Sequence, residues 1–238
     1  MKGIIRAMLV LITGLAFGSM LASRCQAETY LYIAHAASGR NVSASANPAF
    51  PVDISANGVC ISKGLSFGEI TGPFSGTGGT YTFAISAANT GAPCSSPAVY
   101  TVTATLNDSS TYFGILTLDS ANAVTGQLYA VDLSSIAKGM SRVVIANATD
   151  QNLTASLKNH EGGQQNASIN IAAESMEEAT TWSGRYSGSI WLEGSSTSEA
   201  GPASVDLMSR DLYFYVLAGS ASNGSVQLIG PKVIRDVF

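Results

Sequence analysis

The sequence predicts an all-β protein, with two tandem Ig-like antiparallel β-sandwich domains after an N-terminal signal peptide. Hydrophobic residues make up 46% of the 238 residues and charged residues only 12%, which leaves ample apolar material for packed cores. Short segments rich in Val, Ile, Thr and Tyr alternate with clusters of Gly, Pro, Asn and Ser, as strands and turns do in sandwiches. The order of these segments recurs in the second half of the chain, which indicates an internal duplication.

Residues 1–27 have the features of a secretory signal peptide. Lys2 and Arg6 precede an apolar stretch from Ala7 to Leu21, and small residues precede the expected cleavage site. An uncleaved membrane anchor and a lipoprotein lipidated at Cys25 are the alternatives. We therefore expect a periplasmic or secreted protein that has no membrane span once the signal peptide is removed.

The first domain is predicted to cover residues 28–136. Its strands are segments dominated by β-branched and aromatic residues. They are Thr29–His35, Thr80–Ser86, Val99–Leu106, Thr111–Leu118 and Gln127–Leu133. Alternation in Tyr30–Ile33 and in Tyr100–Leu106 predicts half-buried strands, with one face in a core and the other in solvent. Asn57-Gly58, between two apolar runs, predicts a tight hairpin turn.

The second domain is predicted to cover residues 137–238, because the strand pattern breaks after Leu133 and then starts again. Its strands repeat the order of the first domain. They are Ser141–Asn147, Leu153–Leu157, Ala167–Ile171, Glu178–Trp182, Gly184–Trp191, Asp211–Ala218 and Gly224–Ile229. About 100 residues suffice for a two-sheet sandwich with its own core. Ala172–Ala179 alone has helical character, and it is either one turn of helix or nothing.

Two cysteines remain once the signal peptide is removed. Cys60 and Cys94 form an even pair in an oxidising compartment, where disulfides form and persist. We predict that they are bonded to each other, which would stabilise the fold by about 3–4 kcal/mol in the chain-entropy model. The alternative is a pair of buried free thiols.

One pattern in the sequence matches a catalytic motif. Gly64-Leu65-Ser66-Phe67-Gly68 matches a nucleophile elbow, and Asp119 and His160 follow in the chain order of an α/β-hydrolase. An elbow requires a helix after the serine, and Pro73 would end such a helix. We therefore expect a protein that is not an enzyme, and a serine hydrolase or acyltransferase using Ser66 is the third hypothesis.

Metal and cofactor sites are not expected either. His35 and His160 are the only histidines, and neither has Cys or acidic residues at ligand spacing. We expect the ring of His35 to end a strand and to bond to nearby backbone. The net charge of -4 and the lack of a basic run argue against nucleic acid as a partner.

Three aromatic residues are candidates for ligand binding. Trp182, Tyr186 and Trp191 could stack on the apolar faces of sugar rings if they are exposed. On one regular strand, Tyr186 and Trp191 would point to opposite faces, so one of them belongs to the core. The alternative is that both tryptophans only pack the fold.

The first half resembles a secreted bacterial and archaeal family of unknown function, whose members share a pattern like HASPDAPAVDVYVNG…LAFGxVTGY…GTYT. The matching segments are His35–Ser38, Pro51–Ile54 with Asn57-Gly58, Leu65–Glu69 and Gly79–Tyr81. The match covers about residues 30–120. It departs from the pattern by an insertion around Arg40–Phe50 and by the loss of Pro-Asp after the serine. This resemblance implies an Ig-like sandwich without a known activity.

The second half resembles the F-type periplasmic accessory proteins of alginate O-acetylation. The residues that carry the resemblance are Val143–Thr149, Leu153–Leu157, Asp211–Gly219 and Pro231-Lys232. That family also has a signal peptide followed by two small β-domains. The resemblance implies a non-enzymatic periplasmic protein that assists O-acetylation or export of an alginate-like exopolysaccharide, with envelope proteins or the exported polysaccharide as partners. A cell-surface adhesive or interaction module is the alternative.

Overall fold

The fold is described from a computed structural model, for residues 28–39, 47, 49–119, 121–160, 166–192, 198–219 and 226–237. The predicted signal peptide lies outside these residues. Strands make up nearly all of the regular structure of these residues. The first half contains β1 Thr29–His35, β2 Val52–Ala56, β3 Val59–Leu65, β4 Ile70–Gly76, β5 Gly79–Ala87, β6 Ala98–Leu106, β7 Thr111–Leu118 and β8 Val124–Val131.

The described residues of the second half also contain eight strands. They are β9 Met140–Asn147, β10 Leu153–Asn159, β11 Ala167–Ile171, β12 Met176–Trp182, β13 Gly184–Leu192, β14 Ser198–Leu207, β15 Leu212–Ala218 and β16 Gln227–Ile234. The predicted boundary between residues 136 and 137 falls in the connection between β8 and β9. No helix in the described part of the chain is long and apolar enough to cross a membrane.

Each half is a sandwich of two four-stranded sheets. Sheet A has the order β4-β1-β7-β8, and sheet B has the order β3-β2-β5-β6. Sheet C has the order β12-β9-β15-β16, and sheet D has the order β11-β10-β13-β14. The second half thus reproduces the first strand for strand, which confirms the predicted all-β tandem sandwiches. Each copy departs from antiparallel pairing once, because β1 pairs parallel with β7 and β9 pairs parallel with β15.

The two sandwiches share a core. One buried cluster lies between sheets A and B, and a second lies between sheets C and D. A third cluster joins Tyr32, Ala34 and Phe113 of sheet A to Val144 and Phe214 of sheet C. Sheets A and C therefore pack face to face, and the protein is a stack of four layers in the order B, A, C, D.

This stacking overturns one expectation about β1. Leu31, Tyr32 and Ile33 are all buried, so β1 is not the half-buried strand that its alternation predicts. The face expected in solvent is covered by sheet C, whose residues lie far away in the sequence. The alternation of β6 is confirmed, because sheet B has one face open to solvent.

Local turn chemistry behaves as expected. Asn57 and Gly58 both have positive φ, of 49° and 78°, and they join β2 to β3 in the predicted hairpin. Ala172–Ala179 forms no helix. Ala173 and Glu174 lie in a turn, and β12 begins at Met176.

Candidate functional site

The predicted disulfide lies on one side of the first sandwich. Cys60 of β3 is bonded to Cys94, in the connection between β5 and β6, and their Cα atoms are 5.8 Å apart. The buried carboxylate of Asp53 accepts backbone hydrogen bonds from Cys94 at 2.9 Å, Gly64 at 2.9 Å and Asn89 at 3.1 Å. Burial alone would raise the pKa of Asp53, but these three N–H groups outweigh it and the pKa is lowered. The disulfide and the carboxylate therefore hold the same loop.

The three aromatic candidates do not form one platform. Tyr186 is fully buried in the core between sheets C and D, so its ring has no face to offer a sugar. Trp191 is half-buried and lies opposite Thr154 of β10. Trp182 ends β12 and is 50% exposed. Of the predicted set, Trp182 has the most exposed ring, and Tyr186 is corrected to a structural residue.

Trp182 belongs to a small surface that we call the Trp182 surface, made of Trp182, Gly139, Ser183, Met208 and Ser209. Ser183 N–H donates to Gly139 O at 2.8 Å, and Gly139 N–H donates to Ser209 Oγ at 2.8 Å. The indole lies over Gly139, where an added Cβ would be 3.8 Å from Trp182 Cζ3. Met208, beside Ser209, is 59% exposed. These contacts bring two exposed apolar side chains to one end of the second sandwich.

Buried tyrosines hold both ends of this surface. Tyr186 Oη donates to the carbonyl of Trp182 at 2.9 Å, and Tyr213 Oη accepts from Met208 N–H at 2.7 Å. The equivalent of Tyr213 in the first half is Tyr112, whose Oη accepts from Asn107 N–H at 3.0 Å. The Trp182 surface is therefore fixed by core residues and does not depend on free loops.

Sequence reasoning missed Met208 and Gly139 because no local pattern connects them to Trp182. They meet only when the connections before β9 and after β14 approach the end of β12. The one available signal was Trp182 itself, whose large apolar ring stands at the end of a strand directly before Ser183-Gly184. A turn at that point leaves an aromatic side chain at the rim of a sandwich.

The groups considered for hydrolysis lie in separate surroundings. Ser66 is in the connection between β3 and β4, where its N–H donates to Glu69 Oε2 at 2.8 Å, and a strand follows it. Asp119 Oδ1 accepts from Ala121 and Ala123 N–H in the β7–β8 turn. His160 is exposed at the end of β10, in sheet D.

His35 ends β1 and is wholly buried, as expected for a structural residue. Its Nδ1 accepts from Ala37 N–H at 3.3 Å, and its Nε2 donates to Phe50 O at 2.8 Å. Because one partner is a donor and the other an acceptor, the ring is the neutral Nε2–H tautomer. Burial lowers the pKa of His35 despite the Phe50 carbonyl. Across the described residues, no group of three or more His, Cys, Asp or Glu side chains could hold a metal ion.

The chain belongs to a family described as "Domain of unknown function (DUF4397)", whose model matches residues 32–153. This confirms the resemblance of the first half. The match continues past β8 to the first residue of β10. No curated protein sequence matches the chain.

Solved structures that are similar to this chain at low identity include three bacterial proteins. The Bacillus anthracis TIE protein is 11% identical with a TM-score of 0.26, and the match covers 82% of this chain but only 34% of that one. A "putative cell adhesion protein" from Bacteroides ovatus is 11% identical with a TM-score of 0.31, covering 89% of this chain and 98% of that one. Another so described, from Bacteroides uniformis, is 10% identical with a TM-score of 0.28, covering 87% and 99%.

Proposed function

We propose that this protein is an exported, non-enzymatic binding module that assists the O-acetylation or export of an alginate-like exopolysaccharide in a bacterial envelope. The observation that carries the proposal is the half-exposed indole of Trp182, held over Gly139 beside the exposed Met208. Aromatic faces stack on the apolar faces of sugar rings, and a rigid ring loses little entropy when it does so. The resemblance of the second half to the alginate accessory proteins supports the choice of polymer.

The net charge of the protein shapes this interaction. The full chain carries a formal charge of -4, and loss of Lys2, Arg6 and Arg24 with the signal peptide makes the exported form more negative. Alginate is a polyanion, so long-range electrostatics oppose their association. Binding therefore has to rest on stacking and apolar contact at the Trp182 surface. We expect binding that is maintained or strengthened as salt rises, because salt screens the repulsion between like charges.

Affinity electrophoresis of the secreted protein through gels that contain alginate tests the proposal. We expect O-acetylated alginate to retard the wild type, and W182A to reduce the affinity about 2- to 10-fold, the range for one aromatic contact. W191A is the matched control, because it removes the same ring from the outer face of β13, and it should retain the wild-type mobility shift. An equal loss of affinity for alginate in W182A and W191A would contradict a specific role for Trp182.

A second set of gels separates polymer binding from adhesion. A neutral dextran gel should not retard the protein. If neither acetylated nor de-acetylated alginate retards the wild type while the protein still binds whole cells that lack the polymer, the adhesive alternative replaces the proposal. Export is tested by fractionating the producing cells and measuring the intact mass, which should correspond to a chain that begins at Glu28.

A further inference from the structure

The second sandwich contains a cavity between sheets C and D with a volume of about 400 Å³. Its inner walls are aliphatic and come from Val143, Ile145, Leu157, Ile190, Val205 and Leu228. Exposed residues of the edge strands β14 and β16, among them Ser204 and Pro231, line its opening. A closed void of this size would remove much of the stability of a domain. The cavity is therefore a pocket that opens to solvent.

The duplication supplies an internal reference for this cavity. The equivalent space in the first sandwich, between sheets A and B, has a volume of only about 70 Å³. The strand registers show that smaller residues occupy the second copy at three equivalent positions: Ile54 and Ala155, Phe83 and Gly188, and Val102 and Ala203. Leu157 is a change in the opposite direction, because its counterpart is Ala56, so the wider space of the second copy goes with the smaller residues at the three positions.

The largest of these three differences in side-chain size is at Gly188. An added Cβ there would stand 3.5 Å from Leu157 Cδ2, in ordinary contact, and Gly188 does not lie in the left-handed region of φ. The backbone therefore does not require glycine at this position. Where Phe83 fills the first sandwich, the absence of a side chain at Gly188 leaves room for another molecule.

A tyrosine replaces a glycine on the opposite wall. Tyr215 pairs with Ile145 of β9, and its counterpart Gly114 pairs with Ile33 of β1. Tyr215 is only 7% exposed, yet within the described chain its hydroxyl has no hydrogen-bond partner. The hydroxyl oxygen of Tyr215 is not fully enclosed by protein, and Tyr215 lines the cavity. The hydroxyl consequently faces the open space.

Burial raises the pKa of Tyr215. Its hydroxyl thus remains protonated at neutral pH and is able to donate. Because this oxygen keeps contact with solvent in the open cavity, an acceptor on a bound molecule would take the place of water as its partner. The inner walls are aliphatic and offer nothing to compensate the desolvation of an ionic group, and Asp206, the charged residue of the lining, already pairs with Arg185 at 3.0 Å.

We propose that this cavity binds an uncharged, mainly apolar small molecule that carries one hydrogen-bond acceptor, which receives the hydroxyl of Tyr215. The volume lies within the range of roughly 300–1,000 Å³ that is usual for small-molecule sites. It also exceeds that of an apolar cavity of about 150 Å³ that accommodates benzene. The site does not include Trp182, so the proposal stands apart from polysaccharide binding.

The probe for this site is 6-propionyl-2-(dimethylamino)naphthalene, an uncharged naphthalene with one ketone oxygen and a fluorescence that responds to burial. We expect it to bind the wild type with a blue-shifted emission. Methyl NMR signals of Ile145 and Ile190 should shift on binding, and those of their first-half counterparts Ile33 and Ile85 should not. No binding, or shifts at the first-half residues instead, overturns the proposal.

Two variants test the geometry of the site. G188L should abolish probe binding, whereas S187L, with the same side chain on the outer face of β13, should leave it unchanged. Y215F should weaken the ketone probe about 2- to 10-fold, the worth of one hydrogen bond. The same variant should change binding of 2-(dimethylamino)naphthalene, which lacks the ketone, by less than twofold. Binding that survives G188L, or an equal effect of Y215F on both probes, contradicts the proposal.

Discussion

Phe113 and Phe214 stack with their ring centroids 3.5 Å apart and their planes 7° from parallel. They are equivalent residues, because Phe113 pairs with Tyr32 of β1 in the first half and Phe214 pairs with Val144 of β9 in the second. Contact between equivalent residues is what a two-fold relationship between two copies produces. The pair therefore marks the pseudo-two-fold axis that relates the sandwiches, at the centre of their shared core.

Truncating either ring should destabilise both halves together. F113A removes a buried aromatic side chain, which typically costs about 3–5 kcal/mol. Both tryptophans of the chain, Trp182 and Trp191, lie in the second half, so their fluorescence reports on the sandwich that F113A does not alter. We expect the urea midpoint from tryptophan fluorescence to fall as far as the midpoint from circular dichroism.

A double-mutant cycle with F113A, F214A and the double variant isolates the contact itself. We expect a coupling free energy of about 0.5–1.5 kcal/mol beyond the separate losses of burial. A tryptophan midpoint that does not move in F113A would show that the two sandwiches unfold independently.

His35 should make the stability depend on pH. The unfolded chain takes up a proton on this residue near pH 6.5, but the buried neutral ring resists protonation because its pKa is lowered. The unfolded state thus binds more protons below about pH 6.5, and the free energy of unfolding should fall as the pH decreases from there toward the lowered pKa. Urea titrations at pH 7.5 and pH 5.5 measure the change.

The duplication offers an informative substitution at this position. Asn147 is the counterpart of His35, and its Oδ1 accepts from Thr149 N–H at 3.0 Å while its Nδ2 donates to Gln151 O at 2.7 Å. H35N should therefore be tolerated better than H35A and should remove much of the dependence on pH. H160N, which replaces the exposed histidine, is the control and should retain it. If the stability of H35N still depends on pH to the same extent, groups other than His35 cause that dependence.

The strands that sequence reasoning found are those whose signals are local. Thr29–His35, Thr111–Leu118 and Ala167–Ile171 are observed with the predicted bounds, since β-branched and aromatic residues concentrate within each one. β4 and β14 were not predicted as strands. β4 contains Gly72-Pro73, and β14 begins with a run rich in Ser, Ala, Gly and Pro, all of which weaken the strand signal.

Features that depend on residues far apart in the chain could not be predicted from the sequence. The burial of β1 on both faces depends on sheet C, more than a hundred residues later in the chain. The cavity depends on the absence of side chains at Gly188 and Ala203, which has meaning only after the two halves are aligned strand by strand. By contrast, the disulfide followed from a cysteine count, which needs no geometry.

Asp53 should contribute stability that is lost in acid. Its pKa is lowered in the folded state, so the folded protein keeps the carboxylate charged at pH values where the unfolded chain begins to protonate it, near 3.8. The contribution is complete above that value and disappears as the pH falls through the folded pKa. D53N, which has one acceptor oxygen for three N–H donors, should lower the free energy of unfolding by about 1.5–3 kcal/mol at pH 6. It should also reduce the further loss of stability as the pH falls. D150N, at an exposed carboxylate, should do neither.

The disulfide should reinforce the loop that Asp53 holds. Cys60 and Cys94 close a loop with a sequence separation of 34 residues, and removing such a constraint from the unfolded chain should cost about 3–4 kcal/mol in the chain-entropy model. The double variant C60A/C94A should lower the urea midpoint accordingly, and dithiothreitol should bring the wild type to a similar midpoint. Because Asp53 accepts a hydrogen bond from Cys94 N–H, the losses in C60A/C94A and D53N should be coupled, and the triple variant should be destabilised by less than their sum. An intact mass that does not rise by the mass of two hydrogens on reduction would contradict the disulfide. A triple variant that is as stable as C60A/C94A would show that Asp53 acts only through the position of Cys94.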